Sequence, residues 1–254
     1  MHRIATTIGI TMKINWSHTW TIAGFSFAIL IAGFGRCELR SAAADKSPGT
    51  VSEAVFADEA KTRLEKGNRR CVEGKSAHGH NLAHWRERYS VKQKPFATVL
   101  GCSDSRVPPE LLFDQGFDEL FVIRVAGNIV DPAVIATIQY SIEHLDNKLI
   151  IVLGHQNCGA VTAALTPAEK TESEPRELQQ LLNRIRPAIE TVDSRQDFDR
   201  RVAAAVEANV HASVKQLRQV LSIASAIKPK NVRIVGAVYN IDSGQVRFLD
   251  SQSK

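Results

Sequence analysis

Two short apolar runs, each followed at once by a cysteine-containing turn, constrain this chain more than any other feature. The run 95–100 is followed by Gly-Cys-Ser-Asp-Ser-Arg at 101–106, and the run 149–153 by Gly-His-Gln-Asn-Cys-Gly at 154–159. Short apolar runs rich in β-branched residues are typical of strands that are buried on both faces of a parallel sheet. Ligands bind such sheets at the carboxyl ends of the strands. We therefore expect the two turns to meet at one edge of a sheet.

The two turns carry side chains of the types that bind zinc in proteins. If the strands are neighbours, the turns bring together Cys102, Asp104, His155 and Cys158. Thiolate, imidazole and carboxylate are the donors that zinc selects, and four of them complete a tetrahedron. A disulfide between the two cysteines is the alternative in an exported protein. A disulfide needs neither the aspartate nor the histidine, so the pattern favours a metal site.

Arg106 decides whether the predicted zinc site is open or closed. Four protein ligands usually make a closed structural site, whereas a catalytic zinc keeps one position for water. Arg106 follows Asp104 by two residues, which permits a bidentate guanidinium–carboxylate pair. Asp104 bound to Arg106 leaves a zinc position open, and Asp104 bound to zinc closes the site.

The remaining pattern predicts an α/β fold. Further apolar runs at 119–125 and 232–239 are predicted strands, and a turn at 242–244 leads into a last strand, 245–249, paired antiparallel. Helical periodicity occurs at 51–72, 132–145, 159–165, 176–192 and 196–227. Strand–helix–strand repetition implies parallel pairing. We predict a central, mostly parallel sheet of four parallel strands and one antiparallel strand, flanked by helices, with an N-terminal helical arm.

The first 44 residues are typical of a secretory signal peptide. Lys13 precedes an apolar run at 21–35, and Ala42-Ala43-Ala44 supplies a small-residue cleavage site. An uncleaved anchor is the alternative, although the run is shorter than the roughly 20 residues of a membrane span. We predict export, to a bacterial periplasm or exterior. Residues 45–254 would then form a single catalytic domain without a stable membrane anchor.

The charge distribution argues against a polyanionic partner. The formal net charge is +5, and three of these charges fall in residues 1–44, which leaves two for the rest of the chain. A nearly balanced domain lacks the basic surface that nucleic acids require. We expect no nucleic-acid partner and a small-molecule substrate.

The two turns together resemble the signature of the β-class carbonic anhydrases. This signature is Cys-Ser-Asp-Ser-Arg at 102–106 together with His155-x-x-Cys158-Gly159. Other segments that look like the family are 67–70, 108–115 and 126–129. The resemblance covers roughly residues 51–249, with gaps within 166–200.

This resemblance implies a fold, an activity and a metal. The family has a mostly parallel sheet flanked by helices and forms homodimers, often paired as dimers of dimers. It hydrates CO2 reversibly to bicarbonate and a proton through attack by a zinc-bound hydroxide, with one Zn2+ per chain. Carried over, Cys102, His155 and Cys158 are permanent ligands. Asp104 is the switching fourth ligand, which pairs with Arg106 in the active form.

The resemblance also implies a substrate site of the plant-type branch. Gln93 lies nine residues before the first ligand cysteine, as in that branch. Gln93, Phe121, Tyr140 and Gly159 would line a CO2 pocket across the dimer interface, with Gln93 donating to a substrate oxygen. Without the resemblance, Gln93 is an ordinary loop residue, and Phe121 and Tyr140 are expected in the core.

Two other functions fit the same residues. A relative with this fold could hydrolyse CS2 or COS through the same zinc chemistry. A non-catalytic zinc-storing or redox-responsive protein would also keep the thiols, but it would have no need of Arg106.

Overall fold

The two apolar runs form neighbouring strands in the middle of a five-stranded sheet. The structure, a computed structural model, describes residues 56–77, 92–227 and 229–249. The strands are β1 (Ala97–Gly101), β2 (Leu120–Arg124), β3 (Leu149–His155), β4 (Arg233–Tyr239) and β5 (Val246–Leu249). Their order is β2-β1-β3-β4-β5. The first four strands are parallel and β5 is antiparallel to β4, which confirms the predicted sheet.

Helices cover both faces of this sheet. They are α1 (Ala57–Val72), α2 (Pro109–Leu112), α3 (Pro132–His144), α4 (Gly159–Ala164), α5 (Arg176–Ile189), α6 (Phe198–Gln219) and α7 (Leu221–Ile227). Short 3-10 turns occur at Ala126–Asn128 and Ala168–Thr171. The predicted signal peptide, 1–44, lies outside the described residues. In the part of the chain that the structure describes, no helix has both the length and the apolar character needed to cross a membrane.

The side chains of β3 explain why its sequence is continuously apolar. Leu149, Ile151 and Leu153 pack in a cluster beneath α1 and α2. Ile150 and Val152 pack in a second cluster beneath α3, α6 and α7. Successive residues of a strand point to opposite faces, so a strand covered on both faces needs apolar residues throughout.

Helix α1 packs closely against the loop that follows α2. Gly67 and Asn68 lie inside this helix, although neither residue type favours a helix interior. A Cβ atom at Gly67 would lie 1.8 Å from the carbonyl oxygen of Phe113, so glycine serves here to permit close packing. The Asn68 amide donates to Leu112 O at 3.0 Å and to Gly244 O at 2.9 Å. These contacts attach α1 to the β4–β5 hairpin.

The predicted single helix 196–227 is in fact two helices. Val220 has extended dihedral angles, φ −64° and ψ 117°, and separates α6 from α7. A β-branched residue loses little by leaving the helical conformation. The change of direction lets Ile223 and Ala226 pack in the cluster that contains Ile138 of α3. The apolar contacts of α7 therefore stabilise the chain more than one continuous helix would.

Candidate metal centre

Three predicted ligands meet where β1 and β3 end. Cys102 follows β1 directly, His155 is the last residue of β3, and Cys158 precedes α4. Gly101 and Leu153 are register partners, which places the two turns side by side. The ligand atoms of Cys102, His155 and Cys158 all lie within 4.8 Å of one another, and all three residues are buried. The predicted convergence of the two turns is confirmed.

The two sulfur atoms are close but not bonded. Sγ of Cys102 lies 3.9 Å from Sγ of Cys158, and both cysteines are free thiols. A disulfide requires about 2.05 Å between the sulfur atoms. Both side chains pack among apolar residues of α4 and α5, including Val161 and Ile185. The alternative disulfide is therefore not formed, and apolar neighbours bury both sulfur atoms.

His155 presents a nitrogen lone pair to the same point. Its Nδ1 lies 2.9 Å from the carbonyl oxygen of Gln156. A carbonyl accepts only, so Nδ1 carries the proton and Nε2 is left with its lone pair. Nε2 is buried and has no hydrogen-bond partner among the described residues. A histidine held by a carbonyl at one nitrogen and free at the other has the usual arrangement of a metal ligand.

The two thiols perturb each other's pKa in opposite directions. The hydrogen bond from Cys158 lowers the pKa of Cys102, and the backbone N–H of Gly127, 3.4 Å from the Cys102 sulfur, acts in the same direction. The same bond between the thiols raises the pKa of Cys158, and burial raises it further. The pair thus already favours one thiolate, and metal binding would release the remaining proton.

Asp104 is bound by Arg106 in the structure. Nε of Arg106 lies 2.9 Å from Oδ1 of Asp104, and Nη2 lies 2.8 Å from Oδ2. The guanidinium holds the pKa of Asp104 well below its usual range. The Oδ2 atom is also 3.9 Å from Nε2 of His155. The carboxylate therefore lies beside the three grouped side chains while Arg106 binds it, as the predicted open arrangement requires.

Two residues that our sequence reasoning did not single out hold the turns in place. Nε of Arg124 donates to the carbonyl of Cys102 at 2.9 Å. The Gln156 side chain accepts from the N–H of Ile241 at 3.0 Å and donates to Asp242 at 2.8 Å. Arg124 thus attaches the first turn to β2, and Gln156 attaches the second to the β4–β5 hairpin. Both side chains form hydrogen bonds with backbone groups that are distant in sequence, and a local sequence pattern does not predict such contacts.

The predicted substrate residues lie in different parts of the molecule. Gln93 is exposed in the segment before β1, and Gly159 is exposed at the start of α4, next to Cys158. Phe121 of β2 and Tyr140 of α3 stack with ring centroids 6.1 Å apart. Tyr140 is 45% exposed, and its ring also contacts His144. The alternative that both aromatic residues are core residues does not hold, because Phe121 is half-buried, Tyr140 is exposed, and the two form a pair at the outer edge of the sheet.

Sequence similarity to known proteins extends over nearly the whole described fold. The family model for carbonic anhydrase matches residues 97–246, from β1 into β5. Carbonic anhydrase 2 of Mycobacterium tuberculosis is 36% identical over 188 residues, which are 74% of this chain and 90% of that protein. The chain belongs to the carbonic anhydrase family. The carbonic anhydrase of Mycolicibacterium smegmatis is likewise 36% identical, over 73% of this chain and 89% of its own.

Solved structures place this carbonic anhydrase in the β class. It is similar to the Coccomyxa β-carbonic anhydrase solved in complex with acetazolamide, with a TM-score of 0.61 and 28% identity. That match covers 72% of this chain and 83% of the other. A tetrameric β-carbonic anhydrase from Sordaria macrospora matches with a TM-score of 0.62 and 27% identity, over 73% of this chain and 94% of its own. The family resemblance inferred from the two turns is therefore confirmed.

Proposed function

We propose that this chain catalyses the reversible hydration of CO2 to bicarbonate and a proton, with one zinc ion held by Cys102, His155 and Cys158. The observation that carries the proposal is the buried Nε2 of His155, which has no hydrogen-bond partner among the described residues. A ring nitrogen of His155 lies within 4.8 Å of both sulfur atoms. Burying a polar nitrogen without a partner is costly, and a metal ion supplies the missing partner. Two thiols and one imidazole are donors that zinc prefers.

Asp104 orients the attacking water in this proposal. A bound zinc ion acts as a Lewis acid that makes water nucleophilic near neutral pH. Because Arg106 keeps the pKa of Asp104 low, the carboxylate stays ionised and acts only as a hydrogen-bond acceptor. It is well placed to accept a hydrogen bond from the attacking water and to orient its lone pair toward CO2. Arg106 in turn fixes the direction of the carboxylate.

The same geometry supports the predicted switching role of Asp104. Its Oδ2 lies 3.9 Å from Nε2 of His155, so the carboxylate is already adjacent to the ligand atoms. Rotation away from Arg106 would make it the fourth ligand and would remove the position available to water. In this proposal the Asp104–Arg106 pair determines whether the centre is open or closed.

The substrate pocket is proposed to form between two copies of the chain. Strand β2 is the outermost strand on its side of the sheet, and its apolar residues are only half-buried. Phe121 and Tyr140 form an aromatic pair at this same edge. A second chain seated there would bury the pair and bring Gln93 and Gly159 into a shared site. We therefore propose a homodimer, alone or paired as a dimer of dimers.

We also propose that residues 1–44 direct export of the chain. The support is sequence alone: a basic residue, an apolar run at 21–35 and three alanines at 42–44. Fractionation of the producing cells and N-terminal sequencing of the recovered protein test this proposal. Recovery from the cytoplasm with the first 44 residues intact would contradict it.

Stopped-flow measurement of CO2 hydration tests the proposed activity. The purified protein is assayed as prepared, after zinc removal with a chelator, and after zinc is restored. We expect activity to be lost with the metal and to return with it. Activity that persists in metal-free protein would contradict the proposal. CS2 and COS hydrolysis are assayed on the same samples. Hydrolysis of either compound without CO2 hydration would favour the alternative function.

A further inference from the structure

A row of polar side chains on α6 binds the backbone of the loop that follows β2. Three side chains donate to three carbonyl groups in order along the loop: Asn209 to Gly127 at 2.8 Å, Ser213 to Asn128 at 3.4 Å, and Gln216 to Val130 at 3.3 Å. Residues 209, 213 and 216 share one face of the helix because they are separated by about one turn. This face lies beside Val206, Val210 and Val214, which pack in the apolar clusters of the fold.

Gly127, in the middle of this loop, also binds the predicted metal centre. Its backbone N–H donates to the sulfur of Cys102, with 3.4 Å between nitrogen and sulfur. Its φ angle is 67°, in the left-handed region that favours glycine, and a Cβ atom there would lie 2.7 Å from the side chain of Ile185. Asn128 also has a positive φ, 42°. A backbone held in this conformation depends on the contacts around it.

The hydrogen bonds form a continuous connection from α6 to a ligand sulfur. The Asn209 amide binds the carbonyl of Gly127, and the N–H of the same residue binds Cys102. Asn209 is only 3% exposed and lies among apolar residues such as Val206 and Val210. A buried amide is tolerated only when it is hydrogen-bonded, so the position would accept an apolar side chain more easily. Compared with an apolar side chain at position 209, the amide provides the hydrogen bond to Gly127.

We propose that Asn209 is a positioning residue of the metal centre, which keeps the Gly127 N–H directed at the sulfur of Cys102. This inference rests on the proposed function, since it assigns a role toward the zinc ligand. An N–H group bound to a thiolate stabilises its negative charge, so the sulfur donates less charge to the metal and the metal stays a stronger Lewis acid. Asn209 acts through Gly127 and does not touch the reacting atoms.

A matched pair of variants separates this role from a general effect on α6. Asn209→Leu replaces the amide by an apolar group of the same size. Gln216→Met makes the corresponding change at the residue that binds Val130, further along the same loop. The first variant removes the restraint on Gly127, and the second leaves that restraint in place. Asn209→Ala serves if the leucine variant does not fold.

Hydrogen exchange in the metal-free protein tests the connection without reference to zinc. The exchange rate of the Gly127 amide is divided by that of the Val152 amide in β3, which corrects for global opening. We expect this ratio to rise about tenfold in Asn209→Leu and to stay unchanged in Gln216→Met. A ratio that does not change in Asn209→Leu would overturn the inference. So would a Gly127 amide that exchanges as fast as an exposed one in the wild type.

Cobalt substitution then tests the effect on the ligand. The sulfur-to-cobalt charge-transfer band should move to longer wavelength in Asn209→Leu, because a thiolate without its N–H donor gives up an electron more easily. A folded Asn209→Leu protein with an unchanged band would overturn the inference and leave the proposed function standing. Absence of the band in the wild type would contradict the proposed metal centre, while the exchange ratio would still decide the connection from Asn209 to Gly127.

Discussion

Arg106 binds both carboxylate oxygens of Asp104, at 2.9 Å and 2.8 Å. The chain contains the same arrangement a second time, because Arg195 binds Asp193 at 3.0 Å and 2.9 Å. The sequence is Asp-Ser-Arg in both places. Only the first pair lies beside the ligand atoms, with Asp104 3.9 Å from His155. The pairing alone therefore does not mark a functional site, and the second pair is a natural control for the first.

Replacing Arg106 by alanine should abolish most of the activity. Without the guanidinium, Asp104 loses its fixed orientation and becomes free to bind zinc as a fourth ligand. We expect kcat/KM for CO2 hydration to fall about a hundredfold or more while zinc remains bound. Stopped-flow kinetics and metal analysis of the same sample measure the two quantities. Arg195→Ala removes the same bonds elsewhere and should leave both unchanged; equal losses in the two variants would contradict the assigned role of Arg106.

Shortening Gln156 should weaken zinc binding more than it weakens the fold. Its side chain attaches the turn of His155 to the β4–β5 hairpin, and this attachment positions the backbone carbonyl of Gln156 that accepts the Nδ1 proton of His155. In Gln156→Ala we expect zinc affinity, measured by competition with a chromophoric chelator, to fall about tenfold. Gln179→Ala is the control, since the Gln179 side chain also holds backbone in place, by donating to the carbonyls of Glu172 and Glu174. Zinc affinity equal to wild type in Gln156→Ala would show that the turn holds His155 without this attachment.

Cys71 should make the protein less stable in alkaline solution. Burial, and to a lesser extent the charge of Asp114, raises the pKa of its thiol in the folded state. An unfolded thiol ionises near pH 8.5, so above that pH the unfolded state loses its proton first and the free energy of unfolding decreases. Urea unfolding at pH 7.5 and 9.5 should show a larger decrease for wild type than for Cys71→Ser. An equal or larger decrease in the variant would contradict the raised pKa.

The aromatic pair at the edge of β2 should stabilise association of two chains. Truncation of Tyr140 removes the stack with Phe121 and reduces the apolar area available to a partner. Sedimentation velocity of Tyr140→Ala across a concentration series should show weaker association than wild type. Phe198→Ala removes another exposed aromatic ring, at the start of α6, and should not change association. Wild-type protein that sediments as a monomer at all concentrations would contradict the proposed dimer.

The sequence predicted the sheet and the meeting of Cys102, His155 and Cys158 because both depend on local signals. A strand covered on both faces must be apolar at every position, and β1 and β3 are. The residues after such strands must lie at one edge, so Cys102, His155 and Cys158 could be brought together without knowledge of the packing.

Features that depend on contacts between distant residues were not predictable in this way. Gly67 looks like a helix breaker until Phe113 is seen packed against it. Val220 shows no local signal for the break between α6 and α7, which the packing of Ile223 decides. Asn209 carries no local signal of burial, because the sequence does not show that the loop around Gly127 covers that face of the helix.

The most direct test of the whole account is the zinc content of purified protein, measured by inductively coupled plasma mass spectrometry on wild type, Cys158→Ser and Cys71→Ser. Cys158 is one of the three grouped ligands, and Cys71 is a half-buried thiol of α1 outside that group. We expect one zinc ion per chain in wild type and in Cys71→Ser, and almost none in Cys158→Ser. Active wild-type protein without zinc, or zinc fully retained in a folded Cys158→Ser protein, would contradict the central claim.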